Sequence, residues 1–282
     1  MNPKKLLSLA LALTMGLSLT ACGGGKAPSA SPSEAAGSAA PAESAAGSSD
    51  LAYVKDKGVL VVGITEFEPM DYQDKNGSWI GFDADMARAF AGSLGVECQF
   101  QVIDWDNKVL ELDGKNIDVV WNGMTLTDEV TSAMACSNAY CNNAQVVIVP
   151  SARAADYQSV DSVKDLAFAV EAGSAGKAEV EALGASYTEV QDQATALLEV
   201  SSGTADAAVI DSLMAAAMVG EGTSYADLTY TVGLNSEEYG VGFRKGSDLA
   251  AALNEFFQTA YADGSMQKTA ETYGVQAALI EQ

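Results

Sequence analysis

Between residues 117 and 129 the chain runs from a short β-branched stretch, Ile117-Asp118-Val119-Val120, through Trp121-Asn122-Gly123 into Met124-Thr125-Leu126-Thr127-Asp128-Glu129. The apolar stretch predicts a buried strand and Asn-Gly a turn. Thr125 or Thr127 can cap a following helix, whose positive end suits Asp128 and Glu129. A strand–turn–helix junction of this kind leaves backbone N–H groups and hydroxyls at the carboxyl edge of a sheet, where open α/β sheets hold ligands. The same pattern recurs. Residues 59–63 read as a buried strand, 84–94 as an amphipathic helix ended by Gly95, 97–103 as a strand and 104–112 as a helix. Strands are also expected at 144–149, 165–171, 187–190, 207–210 and 238–243. Helices are expected to open at Gly173-Ser174 and to cover 193–200, 247–262 and 265–273. Such alternation calls for a parallel or mixed sheet covered on both faces.

An internal echo points to two such units. Around 111–120 and 199–209 a helix ends near Gly, Asp118 or Asp206 opens a buried strand, and a polar residue, Asn122 or Asp211, ends it. Two lobes built this way would present these strand ends to each other across a cleft.

The first fifty residues read differently. Met-Asn-Pro-Lys-Lys precedes an apolar run over 6–19 and the sequence Leu19-Thr20-Ala21-Cys22, which together make an export signal. Its end resembles the lipobox of bacterial lipoproteins. That implies a signal peptide over 1–21, acylation of Cys22, and a lipid anchor holding the protein at the extracellular face of the cell membrane. Residues 23–49 are almost only Gly, Ala, Ser, Pro and Glu, too poor in apolar side chains to offset the entropy of ordering, so 22–50 is expected to be the lipidated Cys and a disordered linker. Residues 51–282 suffice for one large domain or two small lobes, and they contain no second apolar run long enough to span a bilayer. The formal net charge of −23 argues against nucleic acid or anionic lipid as partners. The chain has no His, which removes the usual neutral-pH general base and the commonest zinc ligand; no cofactor and no metal are expected. With Cys22 acylated, three cysteines remain. Either Cys136 and Cys141 pair across a loop and Cys98 is a buried thiol, or all three stay reduced.

Several short sequences, taken in order, resemble a known family. They are Val62-Gly63-Ile64-Thr65 with Glu68-Pro69-Met70, Gly81-Phe82-Asp83, Asp104-Trp105-Asp106, Asp118-Val119-Val120 with Asn122-Gly123-Met124-Thr125, Glu171-Ala172-Gly173-Ser174, residues 207–211, and Tyr239-Gly240-Val241-Gly242-Phe243. The set resembles the family 3 extracellular solute-binding proteins, the polar amino acid receptors of ABC importers, over nearly all of residues 59–276. The resemblance implies an α/β, two-lobed, periplasmic-binding-protein-like (type II) fold with two crossing hinge strands. Lobe 1 would comprise 51–142 and 237–282, lobe 2 would comprise 143–236, and the ligand would be trapped between them by hinge closure. It also implies a monomer that passes a small amino acid-like ligand to an ABC permease and ATPase complex.

By position, the resemblance implies that Phe67 packs on the ligand's side chain, unless it is a core residue. Gly123 and Thr125, with Asn122 beside them, would contact the ligand's amino and carboxylate groups. Ser174 would bind the carboxylate through its N–H and hydroxyl or else serve as a plain N-cap. Asp211 would receive the ammonium or else cap the helix that starts at Ser212. One position departs from the family. Five residues beyond Thr125, where the family places an Arg that grips the ligand carboxylate with two parallel bonds, stands Val130. The remaining donors, a cation such as Lys108, or a ligand other than an ordinary α-amino acid would have to make up the difference. Glu66 and Glu68 could favour a cationic side chain or belong to a solvated loop, and Trp121 could wall the pocket or lie in the core. Two other readings remain on the same scaffold. One is a dehydratase-like enzyme using Glu66, Glu68 or Glu171 as its base, and the other is a sensory lipoprotein.

Overall fold

The computed structural model describes residues 49–282; the predicted signal peptide, Cys22 and nearly all of the expected linker lie outside the described residues. The described residues begin with α1 (Asp50–Lys57), β1 (Val59–Ile64), the hairpin of β2 (Tyr72–Gln73) and β3 (Trp79–Ile80), and α2 (Phe82–Leu94). It continues through β4 (Glu97–Val102), α3 (Lys108–Asp113), β5 (Val119–Thr125), α4 (Asp128–Ala133), β6 (Ala135–Cys136) and β7 (Cys141–Asn143). A second region holds β8 (Gln145–Pro150), α5 (Val160–Val163), β9 (Ala167–Glu171), α6 (Ala175–Leu183) and β10 (Ser186–Val190), then α7 (Gln193–Ser202), β11 (Ala207–Asp211), α8 (Ser212–Met218) and β12 (Leu228–Gly233). The chain returns through β13 (Glu237–Phe243) and closes with α9 (Leu249–Ala262) and α10 (Ser265–Tyr273).

These strands form two mixed sheets, ordered β4-β1-β5-β13-β6 (with β7 also on β13) and β10-β9-β11-β8-β12. The chain crosses between them twice, from β7 into β8 and from β12 into β13. The central strands are runs of Val, Ile and Ala because helices cover both their faces. In the first sheet Val62, Trp121 and Phe257 pack on one side, and Ile103, Leu112 and Val120 on the other. In the second, Ile148, Ala169 and Ala208 face one side, and Val147, Phe168 and Val209 the other. Among the described residues no helix is long and apolar enough to cross a membrane, and no group of three or more acidic or Cys side chains is placed to hold a metal.

Two expectations need correction. β5 does not turn at Asn122-Gly123 but runs on to Thr125, and its pairing with β13 slips between Gly240 and Gly242. A bulge, not a turn, absorbs Gly123, whose φ of +54° is open to glycine at little steric cost. The expected linker also ends earlier. Ser49 caps α1, and Asp50 is held by Arg244 Nε at 3.0 Å, both groups largely buried. Of the two cysteine readings the second holds: Cys98, Cys136 and Cys141 are all free thiols. Cys136 pairs opposite Gly242 and Cys141 opposite Tyr239, three residues apart along β13, or roughly 10 Å at the rise of an extended strand, too far for a disulfide.

Candidate functional site

The end of β5 in the first lobe and the carboxyl ends of β9 and β11 in the second face a shared cavity of about 460 Å³. The lobes touch across it. Lys108 Nζ donates to the Gly173 carbonyl at 3.0 Å, and Asp106 lies so close to Gly173 that a Cβ there would come within 2.6 Å of its Oδ1. Gly173, at φ +68°, therefore lets the two walls meet.

On the second lobe, Ser174 caps α6: its Oγ accepts from the Lys177 N–H at 3.1 Å. As an acceptor in the cap, the hydroxyl keeps its own proton to donate, and the first turn of α6 adds N–H groups without intrahelical partners. Asp211 ends β11 and makes no cap to α8. Its Oδ1 accepts from Tyr239 Oη at 2.6 Å, Gln145 Nε2 at 3.0 Å and Asn143 Nδ2, and its Oδ2 from Gln193 Nε2. Burial pushes its carboxyl up to about 7, the charge of Glu237 adds to this, and the bonds from Tyr239, Gln193 and Gln145 oppose it. Beside it, Glu171 at the end of β9 is 2% exposed. Its carboxyl is pushed up to about 8, first by burial and then by the charges of Asp211 and Asp192.

On the first lobe, Asn122 lines the cavity, but its amide is fully committed. Oδ1 accepts from the Thr65 N–H at 3.0 Å and hydroxyl at 2.8 Å, and Nδ2 donates to the Thr65 carbonyl at 3.1 Å and to Asp71 at 2.9 Å. Two donors and two acceptor positions are thus all used, and Asn122 is a strut rather than a ligand contact. The Gly123 N–H donates to the buried Asp83 at 2.7 Å, leaving the carbonyl as the group it can offer a ligand. Phe67 lines the cavity while its ring packs over Gly123 and edge-on to Tyr239, with centroids 6.3 Å apart. The Thr125 hydroxyl donates to Glu237 at 2.9 Å. Glu237 also takes Asn143 at 2.7 Å, Gln145 at 2.8 Å and Asn235 at 2.9 Å, so one carboxylate ties both crossing segments together. Lys108 is buried; besides Gly173 it donates to the Trp105 carbonyl at 3.2 Å, and it sits 4.9 Å from that indole's centre. Burial pulls its pKa down, against the charges of Glu171, Asp106 and Glu129.

The cavity thus gathers Phe67, Asn122, Gly123, Thr125, Ser174, Asp211 and Lys108. It does not include Trp121, which is 0% exposed and packs edge-on against Phe257 in the core. Both faces of β5 are buried, so strand alternation could not tell its sides apart. Nor does it include Glu66 or Glu68. The Glu66 carboxylate turns back to the Gln73 N–H at 3.1 Å and borders a separate recess with Asp192. Val130 is buried in the cavity wall. Trp105, Gln193 and Glu171 also line it. Of these only Glu171 carries a sequence signal as a site residue: a carboxylate closing an apolar strand just before a helix cap.

A family model described as bacterial extracellular solute-binding proteins, family 3, matches residues 60–276. The chain is 28% identical to the L-cystine-binding protein TcyJ of Escherichia coli (strain K12) over 235 residues, covering 78% of this chain and 84% of the relative. Its structure is similar to that of an ABC uptake transporter substrate-binding protein from Streptococcus pneumoniae with bound histidine, at 30% identity and a TM-score of 0.73, over 82% of this chain and 98% of that one. It is equally similar, at 30% identity and a TM-score of 0.73 over 80% and 99%, to the ancestral amino acid-binding protein AncCDT-1, a precursor of cyclohexadienyl dehydratase. All three are binding proteins.

Proposed function

The chain belongs to the bacterial extracellular solute-binding proteins of family 3, and on that premise we propose that it is the membrane-anchored receptor of an ABC importer. In this reading it captures an amino acid or related small polar zwitterion by lobe closure and delivers it to the permease. The observation that carries the reading is the cavity itself. It lies between two lobes already in contact, with a helix N-terminus and the Ser174 hydroxyl on one side and buried carboxylates nearby. Such a wall offers donors to a carboxylate and acceptors to an ammonium. A micromolar ligand needs about 8 kcal/mol, within reach of a few charge-assisted bonds and contact with Phe67 and Trp105. The lipobox-like sequence ending at Cys22 supports anchoring, and the placement on the extracellular face follows from it.

Titration calorimetry and thermal shift with amino acids, dipeptides and polyamines test the receptor. Heat or a raised melting temperature is expected with at least one class; silence from every solute would sink the proposal. The bound solute is expected to be recovered chemically unchanged, which separates a receptor from a dehydratase-like enzyme. For the anchor, Cys22→Ser is expected to release the protein from the membrane fraction into the medium.

A further inference from the structure

We propose that Glu171, rather than Asp211 alone, receives the positive group of the ligand and makes the cavity select solutes of net positive charge. The inference rests on the receptor reading above and names the class of solute it would take.

Three observations carry it. Glu171 lines the cavity at 2% exposure, and its Oε1 has no hydrogen-bond partner among the described residues. A buried carboxylate oxygen without a donor is costly, and a ligand cation in the cavity would supply the missing donor. Asp211, on the strand paired with β9, has little capacity left, because three donors reach its Oδ1 and one its Oδ2 against about four acceptor positions. Finally, the charges on the cavity wall do not balance. Even with Glu171 and Asp211 left out, Asp106, Asp128, Glu129 and Glu181 make four carboxylates against the two lysines Lys108 and Lys177. Both lysines are engaged, Lys108 on two backbone carbonyls and Lys177 on Glu189 at 3.1 Å. A ligand that brings an extra positive charge meets an acceptor without a donor, whereas one that brings an extra negative charge finds no unengaged cation on the wall.

The electrostatics agree. Burial first, then Asp211 on β11 and Asp192 at the start of α7, raise the Glu171 carboxyl, while a hydrogen bond with Gln193 and the charge of Lys108 from α3, itself facing Asp106 and Glu129, oppose them. With its carboxyl near 8, the empty site holds a proton on Glu171 at pH 7. A bound ammonium or guanidinium favours the ionised form, so capture releases that proton, and affinity rises with pH until about 8.

The test is calorimetry on the full mature chain at pH 7, in phosphate and in Tris, whose ionisation heats differ. The probes are arginine, lysine and agmatine as cations, glutamine and cystine as neutral solutes, and glutamate as an anion. The cations are expected to bind at least about tenfold more tightly than the others, with close to one proton released. Glu171→Gln, nearly identical in shape, is expected to weaken the cations about tenfold or more and to abolish the proton release. A neutral zwitterion that binds as tightly as the best cation, or a Glu171→Gln protein that keeps full affinity for cations, overturns the inference and leaves the receptor reading standing. Failure of every probe counts against the receptor reading instead. If Glu171→Gln does not fold, the selectivity and proton release of the unaltered chain decide.

Discussion

Gly123 has no room for a side chain. A Cβ would sit 2.5 Å from the Phe67 ring and 3.1 Å from that of Tyr239, on a backbone at φ +54°. Gly123→Ala combines backbone strain with overpacking, and a loss of about 2–4 kcal/mol in urea unfolding is expected, with displacement of Phe67 from the cavity wall. What the sequence discloses at this scale depends on how local each interaction is. Ser174 is legible because a cap joins residues three apart. Asn122 is legible as polar punctuation, but its role is not, since Thr65 and Asp71 reach it from 57 and 51 residues away. The saturation of Asp211 is hidden for the same reason: Asn143, Gln145 and Tyr239 lie 68, 66 and 28 residues distant.

Secondary-structure elements announce themselves when their burial is simple. β1, β8, β9 and β11 are apolar runs with turn residues at their borders, and α6 and α7 begin at side-chain caps, Ser174 and Asp192. β12 does not stand out, because Tyr230 is 59% exposed and threonines flank it on an edge strand. β5 is recognisable but misread past Val120, since Asn-Gly usually marks a turn and only the partner strand reveals a bulge. Between elements, Lys108 on α3 is the side chain that reaches over the cavity to the loop before α6. Lys108→Met keeps the stem and removes the charged bonds. It is expected to weaken ligand binding by about 1–2 kcal/mol in calorimetry, with a larger radius of gyration for the liganded protein in small-angle scattering. Unchanged affinity and size would show that Lys108 does not hold the lobes together.

For the molecule as a whole, several carboxyls are buried and shifted in one direction. Burial raises Asp83 and Asp211 to about 7 and Glu171 to about 8, and it also raises Asp71. A carboxyl whose pKa is higher folded than unfolded binds more protons in the native state. Its contribution therefore falls as pH climbs from the ordinary carboxylate range to the folded value, and is level above it. The ligand-free protein is accordingly expected to melt at a higher temperature at pH 5.5 than at pH 8. A saturating cationic ligand should flatten that slope by taking over from the proton on Glu171; a melting temperature that rises toward pH 8 without ligand would contradict this. At this scale the two-lobed plan is legible in the repeated strand–helix pattern and in the family's ordered motifs. Which walls touch, and which carboxylates are left without donors, depends on side chains meeting across the cleft.

Glu237 gathers Thr125 from one sheet, Gln145 from the other, and Asn143 and Asn235 from the two crossing segments. Under the proposed lobe closure, jaws pinned at one corner would swing rather than slide, travelling on an arc centred near that carboxylate. Asp106 and Gly173, where the jaws meet, would separate as that arc opens, while the pivot stays nearly still.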